Sequence, residues 1–85
     1  MTKREKLVRR FLESPADIKW TELVALLKTY GYEEKSGGKT GGSRRKFIHI
    51  RSGIAISLHE PHPEKIVKRY QLREVRKHLE QEGFL

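Results

Sequence analysis

The chain has 85 residues, no cysteine and a net charge of +8. One small core is all this length supports, and without thiols neither disulfides nor thiolate metal centres can supplement it. No apolar run approaches the ~18 residues of a membrane span, and the basic start lacks the apolar core and small-residue cleavage site of a signal peptide. Absence of cysteine suits a reducing compartment, so a cytoplasmic location is expected.

Charge is segregated along the chain. Residues 35–59 hold six basic side chains and no acidic one, and residues 65–77 hold six basic side chains and Glu74. Clustered cations of this kind favour a polyanion, because they displace the counterions condensed on phosphate backbones.

Thr2-Lys3-Arg4-Glu5 reads as a capping box, with Leu7, Val8, Phe11 and Leu12 following at helical spacing. Ser14-Pro15 ends this helix. A connector over 15–19 leads to Trp20, Leu23, Val24, Leu27 and Tyr30, a second helical stripe closed by Gly31 as its C-terminal cap.

Tyr32 to Lys35 is expected as a short strand. The glycine-rich loop Gly37 to Ser43 follows. It contains Gly-Lys-Thr but lacks the glycine spacing and preceding long strand of a P-loop, so it reads as a hairpin loop able to carry Lys39 to a phosphate. Arg44 to Arg51 is a strand with Arg45, Phe47, His49 and Arg51 on one face and Arg44, Lys46, Ile48 and Ile50 on the other. Neither face is wholly apolar, so the pattern does not choose the buried one. After a turn at Arg51-Ser52-Gly53, Ile54, Ile56 and Leu58 alternate with Ala55, Ser57 and His59.

Pro61 and Pro63 stop the strand. A basic lead-in carries Lys65, Lys68 and Arg69 into a last helix from about Tyr70 to Glu82. Leu72, Val75 and Leu79 mark its apolar side, Gly83 ends it, and Phe84 and Leu85 are expected to fold back onto the core. Its N-terminal amides also favour phosphate. The order helix, helix, three strands, helix predicts an α+β fold: a three-stranded antiparallel sheet with helices packed on one face and the other face open. The expected division is an N-terminal helical extension over 1–17 and a main domain over 18–85.

At this point several pieces together resemble the HicA toxins. They are Trp20-Thr21-Glu22-Leu23-Val24 with Leu26-Leu27 and Gly31-Tyr32, then Gly42-Ser43 with Phe47, then Ile56-Ser57-Leu58, then His62-Pro63 with Lys65, and finally the helix from Leu72 to Leu79 ending at Gly83. The resemblance implies a fold like the double-stranded-RNA-binding domain, metal-independent cleavage of mRNA resting on a histidine, and neutralisation by a HicB-type antitoxin. No small-molecule cofactor and no membrane partner are expected.

The chain departs from that family's Gly-Ser-His motif, because the histidine position holds Arg44. Arginine stays protonated and cannot take a proton from a ribose 2′-hydroxyl, but it can hold a phosphate and stabilise a phosphorane. His59 is the preferred replacement base, since imidazole titrates near neutrality. His49 and His62 are further candidates. The expected RNA contacts are Lys39, Ser43, Arg44, Arg45, Lys46, His62, Lys65 and Lys68, with Arg44 and Lys46 on one strand face and Arg45 on the other. His59 and His62 lack the third and fourth ligands of a structural metal site. Two alternatives use the same residues: a non-catalytic RNA-binding module, and a winged-helix DNA binder with the hairpin 44–59 as wing. The second helix carries only Lys28 in its body, which disfavours the DNA reading.

Overall fold

A computed structural model describes residues 2–13, 15–35 and 44–85. Three helices, α1 (Lys3–Leu12), α2 (Trp20–Thr29) and α3 (Arg69–Gln81), accompany three strands, β1 (Tyr32–Lys35), β2 (Arg44–His49) and β3 (Ala55–His59). The strands form one antiparallel sheet in the order β1-β2-β3. The expected α+β architecture is what the chain adopts.

Local chemistry accounts for the helix ends. Thr2 Oγ1 accepts the Glu5 amide at 3.1 Å at the start of α1. Glu22 reaches back to the Lys19 amide at 2.9 Å at the start of α2. Each satisfies a donor that the helix cannot satisfy internally. Glu22 also accepts from Arg10 Nε at 3.2 Å, and Arg10 pairs with Asp17 at 3.0 Å, so one guanidinium joins α1 to the connector and to α2.

Phe11, Trp20, Leu23, Leu27, Tyr32 and Phe47 are buried in one core with Leu58, Leu72, Val75 and Leu79 from the second half of the chain. Trp20 and Phe47 meet with ring centroids 5.9 Å apart, which seats α2 on the sheet. Ile18 and Val67 join this core because their flanking segments pair. Trp20 N donates to Lys65 O and Val67 N to Ile18 O, each at 2.8 Å. The lead-in to α3 is therefore half structural, where its charge had marked it only as basic. Leu85, expected to anchor the C-terminus, is exposed, and Phe84 does the packing.

The second strand is shorter than expected. It ends at His49, and Ile50 and Arg51 belong to the turn. The cause is His49 itself: its Nδ1 accepts the Arg51 and Ser52 amides at 3.2 and 3.3 Å. Its backbone closes the loop, with His49 N donating to Ile54 O and Gly53 N to His49 O, both at 2.9 Å. β3 consequently begins one residue later than expected, at Ala55.

The same ring explains Gly31. Its φ is +92°, and a Cβ there would stand 2.9 Å from His49 Nε2. Gly31→Ala therefore incurs both a strained backbone and a clash with a ring stacked on Phe84. We expect it to cost about 2 kcal/mol or more. A thermal or urea melt tests this, and a variant as stable as the parent would refute it.

Candidate functional site

The register decides which face of β2 is buried. Arg45, Phe47 and His49 turn toward the helices, where Phe47 and His49 are buried and Arg45 half-buried. Arg44 and Lys46 are exposed on the other side. In β3, Ile56 and Leu58 turn inward, leaving Ala55, Ser57 and His59 on the open face. Cross-strand pairing then sets Arg44 directly opposite His59, and Lys46 opposite Ser57. Side chains at directly opposed positions start about 4.5–5.5 Å apart at Cβ. On the other flank of β2, Lys46 faces Lys35 of β1. Neither Arg44 nor Lys46 makes an ion pair with a described residue. Three cations and an imidazole thus share one exposed patch.

His59 is held from behind. The buried amide of Gln71 donates from Nε2 to His59 O at 2.8 Å and accepts the His59 amide on Oε1 at 2.7 Å. β3 is an edge strand, and here a side-chain amide substitutes for the next strand of the ladder. The backbone of His59 is clamped while its imidazole stays exposed. Nothing in the sequence distinguishes Gln71 from a solvated polar residue near the start of an amphipathic helix, so its part is visible only in three dimensions.

Arg45 lies on the other side of the sheet. Its guanidinium meets Glu34 at 3.6 Å and Glu60 at 3.3 Å. Lys65 also binds Glu60. The Lys65 hydrogen bond, with the charges of Lys65, Arg45 and His62, holds the Glu60 carboxyl below its ordinary range against the opposing effect of burial. Arg45 and Lys65 are thus tied to a carboxylate and are not gathered with Arg44 and Lys46. Lys39 and Ser43 fall outside the described residues.

His49 does not join His59. It is buried on the inner face, edge-on to Tyr32 and stacked on Phe84, with ring centroids 5.1 Å away in both cases. Its imidazole organises the turn, so the sequence-based candidate for a second base is a structural residue. His78 is half-buried, with Nε2 2.7 Å from Tyr32 Oη. Burial lowers the His78 pKa from its ordinary 6.5, only partly opposed by Glu82. The unfolded chain therefore binds this proton more readily than the folded one, and stability falls as pH drops below about 6.5. Melts at pH 7.5 and 5.5 should show a lower midpoint at the acidic value. The gap should shrink in His78→Gln, and an undiminished gap would refute the assignment.

Around the edge of β3 the open face continues into a cleft of about 670 Å³ that includes His59, His62, Lys68 and Gln71. Lys68 is the N-cap of α3, whose first turn holds no acidic residue. Among the described residues no group of three or more His, Asp or Glu side chains comes together at metal-binding distance. Nor is any described helix long and apolar enough to cross a membrane.

A DNA-binding reading needs cations on the solvent side of α2, and the exposed residues of that helix are Thr21, Ala25 and Lys28, a single cation. Searches of curated proteins and of solved structures found no match. A family model described as "HicA toxin of bacterial toxin-antitoxin" matches residues 20–84, which span α2, the whole sheet and α3. The chain belongs to the HicA toxin family, and its natural context is a toxin–antitoxin pair.

Proposed function

We propose that this chain is an RNA-cleaving toxin that grips mRNA on its open sheet face, with His59 as the base and Arg44 and Lys46 as the phosphate-holding cations. The observation that carries the reading is the Arg44–His59 cross-strand pair on an exposed surface. General-base chemistry needs an imidazole within reach of the reacting hydroxyl and a fixed cation at the phosphate. A cross-strand pair sets an imidazole and a cation side by side on one face.

In the proposed reaction His59 takes the proton of a ribose 2′-hydroxyl. The 2′-oxygen attacks the adjacent phosphorus, and Arg44 and Lys46 stabilise the charge of the phosphorane. The bond to the 5′-oxygen breaks, that oxygen takes a proton from water, and the hydroxide left behind takes the proton from the His59 imidazolium, restoring the base. The products are a 2′,3′-cyclic phosphate and a 5′-hydroxyl. No step calls on a metal or cofactor. Arg44, where related toxins are expected to carry histidine, serves the phosphate, and the proton transfer moves across the strand pair to His59. The Gln71 clamp supports this division, because it fixes the backbone of the residue that must be accurately placed.

The antitoxin, in this reading of HicB type, would present acidic groups to the same patch and so neutralise the toxin by occupying it. The site of action would be the cytoplasm, where mRNA is translated. Expression of the chain without a partner, with growth and RNA integrity followed, tests the proposal. Arrest with RNA loss is the expected result, and the cut ends should carry cyclic phosphate. Growth without RNA loss would instead support an RNA-binding module of the same fold.

A further inference from the structure

The cleft beside His59 has walls that a phosphate track alone does not need. Its volume of about 670 Å³ lies in the range of small-molecule sites. Pro61, Pro63 and Ile66 contribute apolar wall, and Tyr70 also lines it. Tyr70 is 46% exposed, although it sits in the first turn of a helix whose apolar side chains Leu72, Val75 and Leu79 are all buried. Its ring has no aromatic partner among the described residues. Core packing therefore does not account for it. Lys68 and Arg69 immediately precede it, and both are exposed cations on the same cleft.

An apolar wall, an exposed aromatic ring and two adjacent cations, with Glu64 the one carboxylate among the lining residues, match the chemistry of a nucleotide: a base to stack and a phosphate to neutralise. We propose that this cleft takes the nucleobase of an RNA nucleotide neighbouring the scissile phosphate, stacked on Tyr70, with its own phosphate at Lys68 and Arg69. The inference rests on the reading of the open face as the RNA surface and extends it around the edge strand. His59 belongs both to the open face and to the cleft, so a strand lying across Arg44 and Lys46 passes beside the cleft. The sheet would hold backbone, and the cleft would hold a base turned out of the strand.

The test is an NMR titration of the full chain with each of the four ribonucleoside 5′-monophosphates, with inorganic phosphate alone as the reference. At least one nucleotide should shift the amides of residues 59–71 at lower concentration than inorganic phosphate does. Tyr70→Ala should weaken that binding by at least about fivefold while Tyr70→Phe preserves it, since stacking requires the ring and not the hydroxyl. A short RNA bearing 2′-O-methyl groups, which cannot be cleaved by its own 2′-oxygen, should displace the nucleotide. Equal responses to nucleotide and inorganic phosphate would overturn the slot, as would Tyr70→Ala with unchanged affinity. An RNA that leaves the nucleotide bound would overturn it as a subsite of the RNA surface. RNA cleavage with no nucleotide bound at the cleft would refute the slot and leave the proposed activity standing. Nucleotide and RNA binding there, in a chain that cuts nothing, would support the slot and refute the cleavage.

Discussion

In the proposed reaction, His59→Gln should lower the rate of RNA cleavage by about 10²–10⁴-fold, the usual contribution of a positioned general base. Glutamine is close in size and still polar, and the replaced side chain is exposed, so the fold should survive. The backbone of residue 59 would keep its two hydrogen bonds to Gln71, because they do not involve the side chain. The loss would therefore belong to chemistry. Arg44→Ala should cost about 10²–10³-fold through lost stabilisation of the phosphorane, and RNA affinity should also fall and depend less steeply on salt. The sharpest variant is Arg44→His in the His59→Gln background, which moves the imidazole to the opposite member of the same strand pair. Recovery of cleavage there would show that a base can serve from either strand. Cleavage by His59→Gln at the parental rate would remove His59 from the mechanism.

Phe11→Ala should destabilise the chain by about 3–5 kcal/mol, as large-to-small substitutions at buried aromatics do. The family match begins at residue 20, so α1 lies outside it. Even so, Phe11 is only 2% exposed and belongs to the same core as Leu27, Phe47 and Leu72. Arg76 reaches from α3 to the Leu12 carbonyl at 3.2 Å, a further tie between α1 and the rest of the fold beside the Arg10 pairs. In a small domain whose total stability is about 5–15 kcal/mol, such a loss lowers the melting midpoint by tens of degrees. Leu12→Ala is the matched control. Leu12 is 37% exposed, and its truncation should cost about 1 kcal/mol or less. We therefore propose that the segment 1–17 extends the core of the main domain and does not merely precede it. A Phe11→Ala chain that melts within a few degrees of the parent would show α1 to be dispensable.

Local pattern was enough for most of the architecture. The stripe on α2 and the left-handed Gly31 after it need only helical periodicity and a cap, and both are as expected. The alternation of Ile56 and Leu58 against Ser57 and His59 likewise fixed the inward and outward faces of β3. Where a segment is ambiguous by itself, its neighbours decided. Arg45-Lys46-Phe47-Ile48-His49 has apolar residues on both faces. The inward face was selected because Phe47 meets Trp20, His49 meets Phe84, and Arg45 finds carboxylates on Glu34 and Glu60. The length of β2 depended on an imidazole folding back onto its own turn, which no propensity encodes.

The residues of the candidate site divide along the same line. Sequence by itself determined that basic groups cluster on a hairpin, that the motif Gly42-Ser43 is followed by Arg44, and that His59 lies on the face opposite Ile56 and Leu58. Those are statements about composition, motif and a period of two, all of them local. Only the tertiary structure decided that Arg44 and His59 are direct cross-strand partners, that Arg45 and Lys65 are drawn to Glu60, and that His49 serves the core. The physical reason is register. Pairing partners come from strands separated by a turn, and the Gln71 clamp on His59 comes from twelve residues further along the chain. Such contacts are selected by how one core closes, and they exist only once it has closed.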